Sequence, residues 1–508
     1  MTFSFAALFS GPSRKRWAAL VAGAALVLSF APYELVWLTP LSLATLILLW
    51  DSTTSRQAFW IGYCFGLGLF TAGTYWLYIS LNILGGLWPP MALLLMFGLI
   101  AVMALYIALS GSLAVWLTPA GGFLRWVLVL PASWVLMEWL RGWLFTGFPW
   151  MSVGYSQIET PLGALAPVVG VYGVSAVTVF YSGLIVSVVQ EGAFVRRLTA
   201  IVVGALGIAG LLALEPVEWS VAEQKELQVT LVQGAVPQEL KWVPAQLEPT
   251  LELYQRLSFE QGPRDLYIWP EAAVPAFPFE IPDFLQNLND KLHSQGSQLF
   301  TGILTYDIER GEYRNTLWAL GGEEGMYFKR HLVMFGEYFP LPDFAKRLLR
   351  IMNLPSESIS AGAADQALLV VKGIPVAATI CYEIAFGAEQ LQFFPAAQLL
   401  VNVSNDGWFG DSIAPHQHLQ IGQMRARETG RYLLRATNTG VTAVVDAQGR
   451  VISRLPQFEP GVINANVRAY SGATPYVSFG NWPVVSGAVL LLLVAFLLRQ
   501  YLPAASIR

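Results

Sequence analysis

PVAATICYE, Pro375 to Glu383, is a run of small and β-branched residues that ends in a thiol and two polar side chains. Thr379 and Ile380 lead into Cys381 as the last residues of a buried strand, since short apolar runs suit strands covered on both faces. Free cysteine is among the most buried residue types, so packing alone would account for Cys381. A nucleophile set at a strand end would account for it equally.

The flanking sequence repeats the pattern. From Leu227 to about Val467, LQVTLVQGAV (227–236), DLYIWP (265–270), SQLFTGILTY (297–306), TLWALGG (316–322), ALLVVKG (367–373), AQLLVNVSN (397–405) and GVTAVVDAQG (440–449) also read as strands. Ile281–Ser294 and His418–Tyr432 read as helices. Strands interleaved with helices at this spacing predict an α/β domain, and such domains place functional residues just beyond strand ends. Three strand ends carry unusual polar residues: Glu271 after Pro270, Lys329 within GMYFKRHLVMFGEYFP (325–340), and Cys381. Each has an ordinary reading, as a turn carboxylate, a snorkelling lysine and a core thiol. Together they meet a chemical need. A desolvated carboxylate can take the thiol proton, and an ammonium can stabilise first the thiolate and then an oxyanion.

Composition sets the surroundings of that domain. Of 508 residues 55% are hydrophobic and 13% charged, about half the charge of an ordinary soluble domain. The apolar residues cluster in runs near the ~20 residues that cross a bilayer, at about 17–31, 35–50, 59–80, 90–117, 124–140, 162–189, 198–215 and 482–498. Eight spans of an integral membrane protein are expected, with 1–215 and 476–508 in the membrane part and 216–475 outside it. The net charge of −4 offers no basic face for a nucleic acid. Arg14-Lys15-Arg16, Arg56, Arg125, Arg196-Arg197, Arg499 and Arg508 fall in alternate loops, which puts both ends of the chain in the cytoplasm and 216–475 on the other side. The basic start resembles a signal peptide without a convincing cleavage site, and reads as an uncleaved anchor. Cys64 lies in a span and Cys381 in the outer domain, so the two are not expected to pair, and an unpaired thiol in an oxidising compartment suggests a task for it.

Glu271 in IWPE, Lys329 in YFKRHLVMFGEYFP and Cys381 in ICYE resemble, in order and context, the Glu–Lys–Cys triad of the nitrilase superfamily. Joined to a multi-span membrane part, the pattern is similar to its membrane-embedded branch, the apolipoprotein N-acyltransferases. TGFPWMSVGYSQ (146–157), VQGAVPQELKW (232–242), FGEYFP (335–340), NVSNDGWFG (402–410) and RATNTG (435–440) extend the resemblance over nearly the whole chain. Met334 stands where that family's pattern leads one to expect proline. The resemblance implies a nitrilase-like α/β sandwich in the periplasm of a bacterial inner membrane protein. It implies Cys381 as nucleophile, Glu271 as general base and Lys329 as oxyanion stabiliser, with Glu337, Tyr382 and Glu383 in support. Trp150 and Trp242 are implied in lipid handling, although most of the 18 tryptophans should be interfacial anchors. A membrane phospholipid is the implied acyl donor. The implied acceptor is the α-amine of an S-diacylglyceryl-cysteine at an apolipoprotein N-terminus, reached through a thioester and ping-pong kinetics.

No cofactor is expected. His416 and His418 lack the Cys or acidic partners of a closed metal site, so no metal is expected either. His331 as a partner for the thiol is made unnecessary by Lys329, two residues before it, because both would face one way in a strand. Nothing in the sequence demands more than a monomer. Two rivals stand: a tethered hydrolase using the same triad with water, and a transporter or receptor. A transport path would call for ionisable residues within the spans, where Glu138 is the main candidate.

Overall fold

The computed structural model describes residues 11–119, 122–338 and 359–501. Arg508 and the last two residues of FGEYFP lie outside the described residues. The chain forms two compact units, one of Met1–Glu218 with Asp411–Gln420 and Thr474–Arg508, the other of Trp219–Gly410 with Ile421–Ala473.

In the first unit a helix occupies each apolar run: α1 (Pro12–Leu26), α2 (Leu38–Trp50), α3 (Ser55–Gly73), α4 (Pro89–Leu117), α5 (Leu130–Arg141), α6 (Ala166–Gln190), α7 (Phe194–Leu214) and, at the C-terminal end, Trp482–Tyr501. Among the described residues four of them, α4, α6, α7 and the last, are long and apolar enough to cross a membrane. A fifth span results if α3 is joined to the helix Trp76–Leu84, bent 55° from it. The remaining three are shorter, at 15, 13 and 12 residues. Two glycines let α1 and α3 touch: a Cβ on Gly23 would overlap the Phe65 carbonyl, and one on Gly68 the Leu20 carbonyl.

TGFPWMSVGYSQ is an irregular, buried segment of this unit, and such backbone needs partners for its polar groups. Arg141 supplies several, donating to the carbonyls of Phe148 (2.7 Å) and Trp150 and to Ser152 Oγ (3.2 Å). Glu138 accepts from the Val153 amide at 2.9 Å. The buried ionisable pair Glu138–Arg141 is thus a brace for a loop.

The second unit is two six-stranded sheets, ordered β12-β1-β2-β3-β4-β5 and β11-β10-β9-β8-β7-β6, packed β1 against β9 and β4 against β7. The strands are β1 (Val221–Gln233), β2 (Leu266–Ile268), β3 (Gln298–Asp307), β4 (Glu312–Leu320), β5 (Gly325–Phe328), β6 (Leu369–Val371), β7 (Ile374–Ile380), β8 (Leu399–Ser404), β9 (Leu433–Thr437), β10 (Ala443–Val445), β11 (Val451–Arg454) and β12 (Gly461–Ser471). β1, β2 and β3 run parallel, as do β7, β8 and β9. Parallel neighbours need a crossover, which α8 (Leu247–Phe259), α9 (Pro282–Ser294) and α10 (Ala414–Thr429) provide. α9 shows why it forms: Pro282 opens it, Asp283 sits in its first turn, Lys291 and His293 in its last, and Leu285, Leu288 and Leu292 share its buried face. Leu251, Tyr254, Leu288 and Leu292 pack with Tyr267, Trp269 and Ile303 into the core between helices and first sheet. Lys329, Arg330 and His331 follow β5 as irregular chain, so the expected common facing of Lys329 and His331 does not apply. The His331 ring stacks on Phe386 at 3.5 Å and meets Glu389 at 2.9 Å, while Lys329 turns inward.

Candidate active site

Glu271 follows the C-terminal end of β2 in a tight turn, with Ala272 in the left-handed region at φ 46°. The turn is clamped to β3 where the Gly302 amide donates to the Pro270 carbonyl at 3.2 Å. Only a glycine fits there, since a Cβ on Gly302 would lie 2.6 Å from Glu271 Cα and closer still to the Pro270 oxygen. So held, Glu271 is 7% exposed. Its Oε1 accepts from Asn315 Nδ2 of β4 at 2.7 Å, its Oε2 from the Asn405 amide just past β8 at 2.8 Å.

Lys329, immediately after β5, is 1% exposed. Its Nζ lies 2.7 Å from Glu337 Oε1 and 3.6 Å from Glu271 Oε1. Burial alone would pull this lysine's pKa down, but Glu337 and then Glu271 outweigh it and hold it above the ordinary value. Glu337 also accepts from the Val333 amide at 2.8 Å, which closes the 333–337 turn around the ion pair.

Cys381 ends β7 with φ 56°, a left-handed conformation that costs a non-glycine residue about 1–3 kcal/mol. Burial raises its pKa well above the ordinary value and the Glu271 charge raises it further, against the lowering effects of Lys329 and Ser404. The resting group is therefore a thiol beside a carboxylate and an ammonium, a set that can move a proton and hold an oxyanion.

Glu383 proves to be a strut between the segments that carry Lys329 and Cys381. It accepts from the amides of Ile380 (2.6 Å), Arg330 (2.6 Å) and His331 (3.1 Å) and from the Tyr327 hydroxyl (3.1 Å). Burial raises its pKa, opposed by those bonds. Beneath Cys381, Asn402 Nδ2 donates to its carbonyl at 3.3 Å, and Arg435 and Asp406 form a fully buried 2.7 Å pair.

Of the residues singled out by sequence, Glu271, Lys329, Glu337, Cys381 and Glu383 converge here. The Tyr382 ring meets Phe386 edge-on at 5.0 Å. Trp242 belongs to the same unit and is 48% exposed. Trp150 belongs to the first unit, fully buried, with Nε1 donating to Gln417 Oε1 at 2.7 Å. Lys241, Asn315 and Asn405, which hydrogen-bond to Glu271, are further residues of the site that no strand-end pattern marks. Lys241 and Asn405 lie inside motifs that the resemblance quotes, and that was the available signal.

Residues 228–476 match the carbon-nitrogen hydrolase family, which defines the class of the domain that holds this site. Residues 22–184 match the apolipoprotein N-acyltransferase N-terminal domain. The chain is 42% identical over 487 residues to the apolipoprotein N-acyltransferase of Methylococcus capsulatus, covering 95% of this chain and 96% of that one. It is 42% identical to that of Nitrosomonas europaea (94% and 96% covered) and 40% to that of Photobacterium profundum (92% and 91%). The chain belongs to the apolipoprotein N-acyltransferase family.

Proposed function

We propose that the chain transfers an acyl group from a membrane phospholipid to the α-amine of the S-diacylglyceryl-cysteine that begins an apolipoprotein. The observation that carries the reading is the burial of Glu271, Lys329 and Cys381 just past β2, β5 and β7, with Lys329 3.6 Å from Glu271, in a chain of this family. Glu271 takes the thiol proton and the sulfur attacks the ester carbonyl. Lys329, with the first amide after Cys381, holds the oxyanion. The ester C–O bond then breaks, Glu271 returns the proton to the leaving oxygen, and a lysophospholipid departs from a Cys381 thioester. A neutral amine attacks that thioester, its proton passes to Glu271, the C–S bond breaks, and the thiolate is reprotonated. Glu337 keeps Lys329 in place through the 2.7 Å contact.

A lipid donor suits the exposed apolar residues near this machinery. Leu240, Trp242 and Val243 are 44%, 48% and 41% exposed, and Phe335 is 43% exposed two residues from Glu337. In this reading Trp242 and Trp150 handle lipid. The eight helical segments cross the inner membrane with both chain ends in the cytoplasm. Residues 216–475 then stand in the periplasm, between the membrane parts 1–215 and 476–508, and the protein works as a monomer. The test is intact-mass detection of an acyl adduct on Cys381 after incubation with phospholipid, and its loss when a diacylglyceryl peptide with a free amine is added. Continued acyl transfer by Cys381→Ala refutes the assignment; decay of the adduct at one rate with or without the peptide favours hydrolysis.

A further inference from the structure

Lys241 lies between two outward residues, Leu240 and Trp242, yet is itself 2% exposed. The segment is built to put it there. Asn438 accepts from the Val236 amide (3.1 Å) and donates to the Val236 carbonyl (2.8 Å). Asn405 Nδ2 donates to Gln238 Oε1 (2.8 Å), and the Lys241 amide closes a turn on the Pro237 carbonyl (3.1 Å). The ammonium ends on the Glu271 main-chain carbonyl at 3.1 Å, its single hydrogen-bond acceptor among the described residues.

One carbonyl is a poor return for a buried ammonium, which has three protons to place and a large desolvation cost. A neutral amide would brace the carbonyl as well. What a neutral group lacks is charge, and the site has a use for charge. Glu271, Glu337 and Glu383 bring three carboxylates against the one positive charge of Lys329, while Asp406 and Arg435 pair off, so without Lys241 the resting pocket would hold a larger excess of acidic groups. During acylation negative charge leaves Glu271 for the sulfur and then for the ester oxygen. Burial pulls the Lys241 pKa down to about 8, against the raising effects of Glu271 and Cys381, so both groups lie within its electrostatic reach.

We infer that Lys241 is a positioning residue of the reaction, a second cation that fixes the Glu271 turn through its carbonyl and balances the charge that moves from Glu271 to Cys381. The inference rests on Cys381 being the nucleophile. Its test uses the full-length chain in detergent micelles on a Cys64→Ser background. Iodoacetamide alkylation of Cys381 is followed by intact mass from pH 6 to 10, and acyl-adduct formation is measured from mixed phosphatidylethanolamine and phosphatidylglycerol micelles. The groups titrating or charged around the thiol are Glu271, Lys329, Glu337, Glu383, the Asp406–Arg435 pair and Lys241 itself. Lys241→Gln, which keeps a donor and loses the charge, is expected to slow adduct formation about tenfold or more and, below pH 8 where the parent lysine is charged, to slow alkylation about tenfold. Lys241→Arg is expected to stay within about threefold of the parent and to extend its activity to higher pH, because guanidinium stays charged. A Gln variant with an unmoved alkylation profile overturns the inference and leaves a neutral strut. If the parent alkylates but never forms an acyl adduct, the thioester reading falls, and the alkylation rates still decide the role of Lys241.

Discussion

Replacing Glu271 with glutamine removes one charge from the site and almost nothing else. Asn405 can go on donating to the new carbonyl oxygen. The new NH2 would face Asn315 Nδ2, but Asn315 Oδ1 is buried without a partner, so a turn of that amide supplies an acceptor. The electrostatic loss can be sized from the 3.6 Å contact with Lys329, which is worth about 4–5 kcal/mol at an effective dielectric of 20. Lys329 keeps Glu337 at 2.7 Å, so the cost in stability should fall well below the ~3–5 kcal/mol of a buried charge left without a partner. Chemistry should suffer more. Loss of a positioned base costs typically 10²–10⁴-fold, or about 3–5 kcal/mol of barrier. One effect opposes this, since without the Glu271 charge the thiol pKa drops. Burial is the larger cause of its elevation, however, so at pH 7 the sulfur stays almost wholly protonated. Single-turnover adduct formation with labelled phospholipid should therefore slow by two to four orders of magnitude, while the melting temperature moves little. An acylation rate within about threefold of the parent would refute Glu271 as the base.

Gly302→Ala should push the Pro270–Glu271 turn away from β3, because the added Cβ has only 2.6 Å to Glu271 Cα. Adduct formation is expected to drop at least about tenfold, in keeping with the cost of small displacements at reacting groups, and a fully active Gly302→Ala enzyme would show that the turn is loose. Lys241 also predicts a pH dependence of stability. Its folded pKa of about 8 lies below the ordinary ~10.4, so between those values the unfolded chain holds a proton that the folded chain has lost. The Lys241 contribution to stability should thus rise with pH across that window, by up to about 3 kcal/mol; Cys381, held above its ordinary pKa, contributes in the opposite sense, so the rise is read as the difference between the parent and Lys241→Met, which should be the more stable protein at pH 7. Thermal melts at pH 7, 8.5 and 10 check the sign.

Much of the catalytic unit was legible because its strands are short apolar runs with polar residues at their ends. Five of its elements were not, among them β5, whose four residues are too few to show a pattern. β9 carries Arg435 in the middle of LLRAT, a charge that spoils the apolar pattern and is tolerated only because Asp406 meets it at 2.7 Å. β12 is an edge strand that alternates Ile463, Val467 and Ala469 with exposed Asn464, Asn466 and Arg468, too polar overall to stand out. α8 has Pro249 near its start and a single buried stripe through Leu251 and Tyr254. β11 pairs only with β10 and buries none of its four residues fully. In the site, the proposed triad is legible because each member follows closely on a strand. Asn315, Asn405 and Glu383 act through partners 44, 134 and 53 residues away in the chain, and no local pattern announces such a pairing.

The hydrogen bond from the Asn405 amide to Glu271 has a consequence during synthesis. The carboxylate is made early, the sulfur 110 positions later, and the amide that helps aim the carboxylate later again. A nascent chain therefore carries Cys381 before its proposed base is aimed. In the proposed mechanism thiol and base meet only when the two sheets close, so a half-made or misfolded copy has a cysteine with no carboxylate aimed at it.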